Sequence, residues 1–290
     1  MRWLITGSYG QLGTDLQAVL AATPEDVVRA VDLDVLDITD AAAVDRAIAE
    51  FAPDVLVNAA AFTAVDAAEE NEALAFRVNA TGPAVLAAAI ARNGGRLVHV
   101  STDYVFAGEG TRPYEVDDAP DPRSAYGRTK LAGERAVREL LPDASYVVRT
   151  AWVYGGTGAN FVKTMVRLED ERESVSVVDD QRGSPTWSAD LARALVELAR
   201  SSATPGVYHC TGTGDTTWFG FTQAIFGELG ADPARVLPTT TDAFPRPAPR
   251  PAYSVLSDAA WRAAGLTPMP GWRDALHTAF AAVGDQFRAG

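Results

Sequence analysis

The sequence predicts an α/β fold in which a doubly wound parallel sheet carries a smaller, mixed α/β domain. Three observations predict it. The first 150 residues alternate short apolar runs with amphipathic helical stretches, three glycines spaced three apart follow the first run, and the second run ends on an acidic side chain. Continuous rather than alternating apolar runs mark strands buried on both faces, as parallel strands are.

The expected strands are residues 3–6, 27–31, 55–58, 97–101 and 146–150, with helices expected at 11–22, 41–51, 69–79 and 83–92 between them. This is the βαβ rhythm with right-handed crossovers. After Trp152 the pattern loosens into glycine-rich turns, helices at 160–172 and 189–200, and a proline-rich region between Pro233 and Pro251 that reads as loops covering a ligand site. In the closing stretch Trp272, Leu276, Phe280, Val283 and Phe287 recur at helical spacing, the signature of a helix packed into a core. The expected division is 1–152 as the cofactor domain, with the helix in 188–202 returning to it, and 153–187 plus 203–290 as the substrate domain.

The chain has 290 residues and a net charge of -13, which argues against binding nucleic acid or an anionic membrane by phosphate neutralisation. A strand candidate, "RWLIT", starting at Arg2 suggests no signal peptide, and no apolar run is expected to span a bilayer, so a cytoplasmic protein without membrane partners is expected. The single Cys210 and the scattered His99, His209 and His277 offer neither a disulfide nor a zinc site, and no metal is expected. His99, His209 and Cys210 read as packing residues.

"TGSYGQLG" places Gly7, Gly10 and Gly13 between the first strand and its helix, where backbone N–H groups and the positive helix end receive a pyrophosphate. This is the dinucleotide turn of a Rossmann fold. Asp32 ends the second strand, positioned to accept hydrogen bonds from ribose hydroxyls. No Arg follows it, so a 2′-phosphate would meet repulsion; NADPH or NADH is expected, leaning to NADH, with Arg29 the one residue able to soften that repulsion. Asp37 and Ile38 are expected at the adenine edge, and the small residues Ala59, Ala60 and Ala61 beside the dinucleotide.

"SAYGRTKLAGE" holds one of only two lysines among 25 basic residues. Tyr126 precedes Lys130 by four positions, which on a helix puts both on one face. A phenol titrates near 10, and a neighbouring ammonium lowers that value. Thr102, with Ser101 as the weaker substitute, ends the fourth strand and would face the same crevice.

With "GSYGQLG", "NAAAFTAVDAAE", "STDYVFAGEG", "YGRTKLAGE", "RTAWVYG", "NFVKTM", "DDQRGSPTW" and "RPAYSVL" spread from residue 7 to about 256, the chain resembles the extended short-chain dehydrogenases/reductases, and among them the dTDP-4-dehydrorhamnose reductase family. The resemblance implies NAD(P)H-dependent reduction of the 4-keto group of a dTDP-deoxysugar, yielding dTDP-L-rhamnose. Tyr126 would donate the proton, Lys130 tune it and hold the nicotinamide ribose, and Thr102 bond the carbonyl. It adds Tyr9, Gln11, Leu12, Asn79 and Ser101 to the cofactor contacts. Trp152, Asn160, Phe161 and Met165 would line the substrate pocket, Thr63, Val65 and Tyr104 the opposite wall, and Arg182 and Arg250 would meet the diphosphate. Lys163 is open between a phosphate contact and a solvated position. Some relatives bind magnesium between subunits near positions matching Asp15 and Asp190, and a homodimer is among the open assemblies. Two other functions are compatible with the same sequence: a related ketoreductase or epimerase of antibiotic sugars, and a non-catalytic subunit like the regulatory one of methionine adenosyltransferase. The intact Thr102, Tyr126 and Lys130 argue against the latter. Asp103 and Tyr104 after Thr102 leave a dehydratase-type acid pair incomplete.

Overall fold

The apolar runs become strands in the computed structural model, which describes residues 1–288. The first half is built from β1 (Arg2–Thr6), α1 (Gln11–Ala21), β2 (Val27–Val31), α2 (Ala41–Phe51), β3 (Val55–Asn58), α3 (Val65–Glu70), α4 (Glu72–Phe76), α5 (Gly82–Asn93), β4 (Arg96–Thr102), α6 (Ala125–Leu140) and β5 (Ser145–Thr150). There follow β6 (Val153–Tyr154), α7 (Phe161–Glu171), β7 (Val175–Val178), β8 (Arg182–Gly183), β9 (Thr186–Trp187), α8 (Ser188–Arg200), β10 (Gly206–His209), β11 (Thr216–Thr217), α9 (Trp218–Glu228), β12 (Val236–Thr239), α10 (Ala259–Ala263) and α11 (Trp272–Arg288).

Six strands form one parallel sheet in the order β2-β1-β3-β4-β5-β10. Successive side chains alternate between its faces. Trp3, Ile5, Val57 and Val98 meet Leu16 of α1 and Leu191 and Leu195 of α8 on one side, while Leu4, Leu56 and Leu97 meet Ile48 of α2, Ile90 of α5 and Val137 of α6 on the other. The strand order reverses between β1 and β3, and in open α/β sheets ligands bind outside the carboxyl ends of the strands at such a reversal. Residues 32–40, between β2 and α2, run as turns and add no strand.

Three expectations change. The helix expected at 69–79 is broken: Asn71 adopts φ −128°, separating α3 from α4, and Arg77–Thr81 form a π-helical turn leading into α5. The run Glu72–Asn93 that results is long and apolar enough to cross a membrane by composition, against the sequence expectation, but half of its most apolar window is buried inside the fold, as in a core helix. Lastly, β10, expected among the substrate elements, pairs with β5 at the edge of the main sheet.

A second core forms where α7, α9 and α11 pack together around Phe221, Phe226, Val162 and Leu276. Leu276 and Phe287 of the closing helix are buried in it, with Trp272, Phe280 and Val283 packed against it; Val283 kinks the helix at φ −136°. The proline-rich region is more ordered than expected, since β12 pairs in parallel with β7. Its second part nonetheless borders the cleft described below.

Candidate active site

The carboxyl ends of β1 to β5 open into a cleft of about 1250 Å³ that continues between the sheet and the α7–α9 core. Its floor begins at the glycine turn. A Cβ on Gly13 would stand 2.1 Å from the Gly7 carbonyl oxygen, so only glycine lets α1 start this close to the turn. Gly10 precedes α1 without a side-chain cap, leaving the first N–H groups of the helix to a ligand. Gly7, Gly10, Gln11, Leu12 and Gly13 line the cleft, as do Asp32, Asp37 and Ile38. Ala59, Ala60 and Ala61 form its wall at the end of β3. This shape fits a dinucleotide.

Asp32 is committed to the turn: its carboxylate accepts from the N–H of Tyr9 at 2.9 Å and of Leu33 at 2.8 Å. Arg29, the residue that might have softened it, pairs instead with Glu50 at 3.7 Å and lies against the Phe51 ring.

On the opposite rim Ser124 caps α6, accepting from the Gly127 N–H at 3.1 Å. Tyr126 and Lys130 both line the cleft, alongside Ser101 and Thr102 from β4. The cap and the i, i+4 spacing therefore deliver the expected juxtaposition. The expected electrostatics differ. Burial pushes the Tyr126 phenol up to about 12, the nearby Asp103 carboxylate adds to the rise, and the Thr102 hydroxyl pulls it partly back. Lys130 is drawn down to about 8 by burial, against the opposing pull of Glu134, and its Nζ donates to the Val100 carbonyl at 2.7 Å. Desolvation dominates, so the phenol is kept protonated rather than acidified.

Thr102 also departs from its expected part. Its hydroxyl donates to Asp103 Oδ1 at 2.9 Å and accepts from the Tyr104 N–H at 3.2 Å. Burial raises Asp103 to about 6, with the neighbouring Ser254 and Thr102 hydroxyls opposing. Ser101 donates to Glu134, which forks with Arg149 in a buried ion pair.

Of the expected substrate contacts, Thr63, Val65, Tyr104, Trp152, Phe161, Met165 and Arg250 line the cleft. Trp152 holds φ +50° and its ring stacks on Trp218, centroids 3.5 Å apart, with Phe161 against the same indole. Positive φ in a bulky residue costs roughly 1–3 kcal/mol and persists where the surroundings enforce it.

Four expected site residues lie off the cleft surface. The Tyr9 ring is exposed and its phenol donates to Asp34, because the turn directs it outward. Asn79 is fully buried in the π-helical turn, where its amide clamps the Phe62 N–H and carbonyl and the Thr129 hydroxyl, a brace between the β3 loop and α6. Asn160 caps α7 at the Lys163 N–H and donates to Gln11 Oε1 across the two halves. Arg182 is half-exposed and paired with Asp215. Lys163 lies off the cleft as well. His99 is fully buried beside Asn58, and burial with the Lys130 charge holds its ring neutral. Asp15 accepts from Ser188 at 2.5 Å and Asp190 pairs with Arg193.

Sequence reasoning missed Asp66, Trp218, Phe244 and Arg246, all in the cleft wall. Trp218 opens a helix far from every motif. The proline-rich region was expected over the site, but nothing in its pattern singled out Phe244 or Arg246.

Comparison with known proteins agrees with this geometry. The family model for the RmlD substrate binding domain matches residues 1–284. A dTDP-4-dehydrorhamnose reductase of Streptomyces griseus is 53% identical over 286 residues, covering 97% of this chain and 94% of that protein. A dTDP-4-keto-6-deoxy-D-glucose reductase of Streptomyces niveus is 49% identical, covering 96% of each. The crystal structure of the dTDP-4-dehydrorhamnose reductase of Bacillus anthracis in complex with NADP superimposes with a TM-score of 0.93 at 41% identity, covering 97% of this chain and 98% of that one.

Proposed function

We propose, from the premise that this chain belongs to the RmlD family of dTDP-4-dehydrorhamnose reductases, that it reduces the 4-keto group of dTDP-4-dehydrorhamnose with NADPH or NADH, giving dTDP-L-rhamnose. The observation that carries the reading is one cleft bordered by both the dinucleotide turn and the Thr102, Tyr126 and Lys130 constellation.

The glycine turn, Asp32, Asp37, Ile38 and Ala59–Ala61 would hold the cofactor, whose nicotinamide would supply hydride to the carbonyl carbon. Tyr126 then gives its phenolic proton to the carbonyl oxygen, and a phenol held at about 12 arrives loaded with that proton. Lys130, charged below about 8, offsets the tyrosinate left behind. Thr102 stands beside Tyr126, and its hydroxyl, which donates to Asp103 at 2.9 Å, must turn from that carboxylate to bond the ketone oxygen. The Trp152 and Trp218 pair, Phe161 and Met165 form the apolar wall for sugar and base, and Arg250 receives the diphosphate.

Incubation of the purified protein with NADPH and dTDP-4-dehydrorhamnose tests this, followed by identification of the sugar nucleotide. Cofactor oxidation with formation of dTDP-L-rhamnose is expected. The 49% identity to the Streptomyces niveus protein favours one second reading, reduction of dTDP-4-keto-6-deoxy-D-glucose, and a higher kcat/KM for that sugar in the same assay would select it.

A further inference from the structure

The cleft wall formed by residues 242–250 has one anchor in the cofactor half. Residues 242–249 contain a single buried member, Ala248, at 1% exposure. Its N–H donates to Asp66 Oδ1 at 3.2 Å and its carbonyl accepts from Arg250 Nη1 at 3.1 Å. The circuit closes where Arg250 Nη2 donates to Asp66 Oδ2 at 2.8 Å. One carboxylate on α3 thus holds both the backbone of the arm and the guanidinium beside it, more than 180 positions away in the chain. Downstream, Tyr253 and Ser254 are tied by backbone bonds to Gly108 and Arg182, with no call on Asp66. Phe244 and Arg246, upstream on the same arm, face the cleft with Asp66 and Arg250.

A guanidinium has five N–H donors, and the clip uses two. We propose that Asp66 is a positioning residue for the sugar nucleotide: it fastens the 242–250 arm to the cofactor half and holds Arg250 in the cleft wall, where the remaining N–H donors meet the diphosphate. This rests on the substrate class given under Proposed function. Asp66 is itself an anion beside an anion site, so its contribution through geometry must exceed its repulsion of the ligand. With both oxygens of the carboxylate occupied by donors, most of that charge is already answered.

The test compares wild type with Asp66→Asn, Asp66→Glu, Arg250→Ala and the Asp66→Asn/Arg250→Ala double variant. KM for the 4-keto sugar nucleotide, KM for NADPH and kcat are measured, together with the Kd of dTDP alone. Asp66→Asn is expected to raise both the sugar-nucleotide KM and the dTDP Kd about tenfold, while kcat falls less than about threefold and the NADPH KM less than about twofold. Asp66→Glu recovers part of the loss. In the Arg250→Ala background the Asp66→Asn change adds less than about twofold, because its effect runs through Arg250. Unchanged or tighter dTDP binding in Asp66→Asn overturns the proposal, as do fully additive effects in the double variant or a parallel loss in the NADPH KM. Should wild type reduce no 4-keto dTDP-sugar, the functional reading fails, and the dTDP affinities still decide the role of Asp66.

Discussion

The Lys130 ammonium donates to the Val100 carbonyl at 2.7 Å, which fastens it to the end of β4 instead of leaving it to acidify Tyr126. On the proposed mechanism the ammonium and phenol would act in sequence: the phenol waits protonated, and the cation matters once the proton has gone. Burial is what separates the two roles, raising one group and lowering the other.

A pH limb follows from Lys130. Its protonated form is the one required, so kcat should fall as pH rises through about 8. The same burial opposes folding: the folded state binds fewer protons than the unfolded chain between about 8 and 10.5, so this penalty is fully present at neutral pH and fades as pH climbs through that window. Lys130→Met is thus expected to lower kcat by roughly a hundredfold or more while leaving the thermal midpoint at pH 7 equal to wild type or above it. Steady-state kinetics across pH and thermal melts check both halves.

Asp32 is expected to set the cofactor balance. Asp32→Ala removes a carboxylate from the position a 2′-phosphate would approach, and should raise kcat/KM with NADPH relative to NADH by about tenfold, the equivalent of ~1.4 kcal/mol. A ratio unchanged by the substitution would show that Asp32, already bonded to the turn, exerts no repulsion.

Gly127 lets the catalytic helix lie against the turn after β4. A Cβ there would stand 2.2 Å from the Tyr104 carbonyl oxygen. Alanine is the better helix former by about 1 kcal/mol, yet the clash is with backbone, and a net loss of roughly 1–3 kcal/mol is expected. Denaturant unfolding measures it, and a stabilised Gly127→Ala would mean that α6 can slide away at little cost.

Trp218 supports a neighbour held at positive φ. Trp218→Ala removes the stack on Trp152, and aromatic pairs contribute about 0.5–1.5 kcal/mol beyond burial. The sugar-nucleotide KM should rise about two- to tenfold, with the NADPH KM unmoved.

The elements that write a local signal were legible in the sequence. Strands buried on both faces announce themselves as apolar runs, the glycine turn needs its residue type for steric reasons, and Tyr126 and Lys130 share a helix face by spacing alone. What escaped is settled between distant parts of the chain. Asn79 reads as a cofactor contact until the π-helical turn is seen to turn it inward. Arg182 and Arg250 look alike in sequence, but only Arg250 meets a carboxylate in the cleft wall. The pairing of Trp152 with Trp218 joins positions 66 apart with no shared motif. Direction of pKa shift is likewise hidden, because the i, i+4 spacing shows the cation and not the burial that raises the phenol.

The most direct measurement is the single-turnover rate of Tyr126→Phe beside wild type, with saturating NADPH and dTDP-4-dehydrorhamnose. The phenol as proton donor predicts a rate lower by roughly a hundredfold or more with NADPH affinity retained. A rate within a few fold of wild type would contradict it.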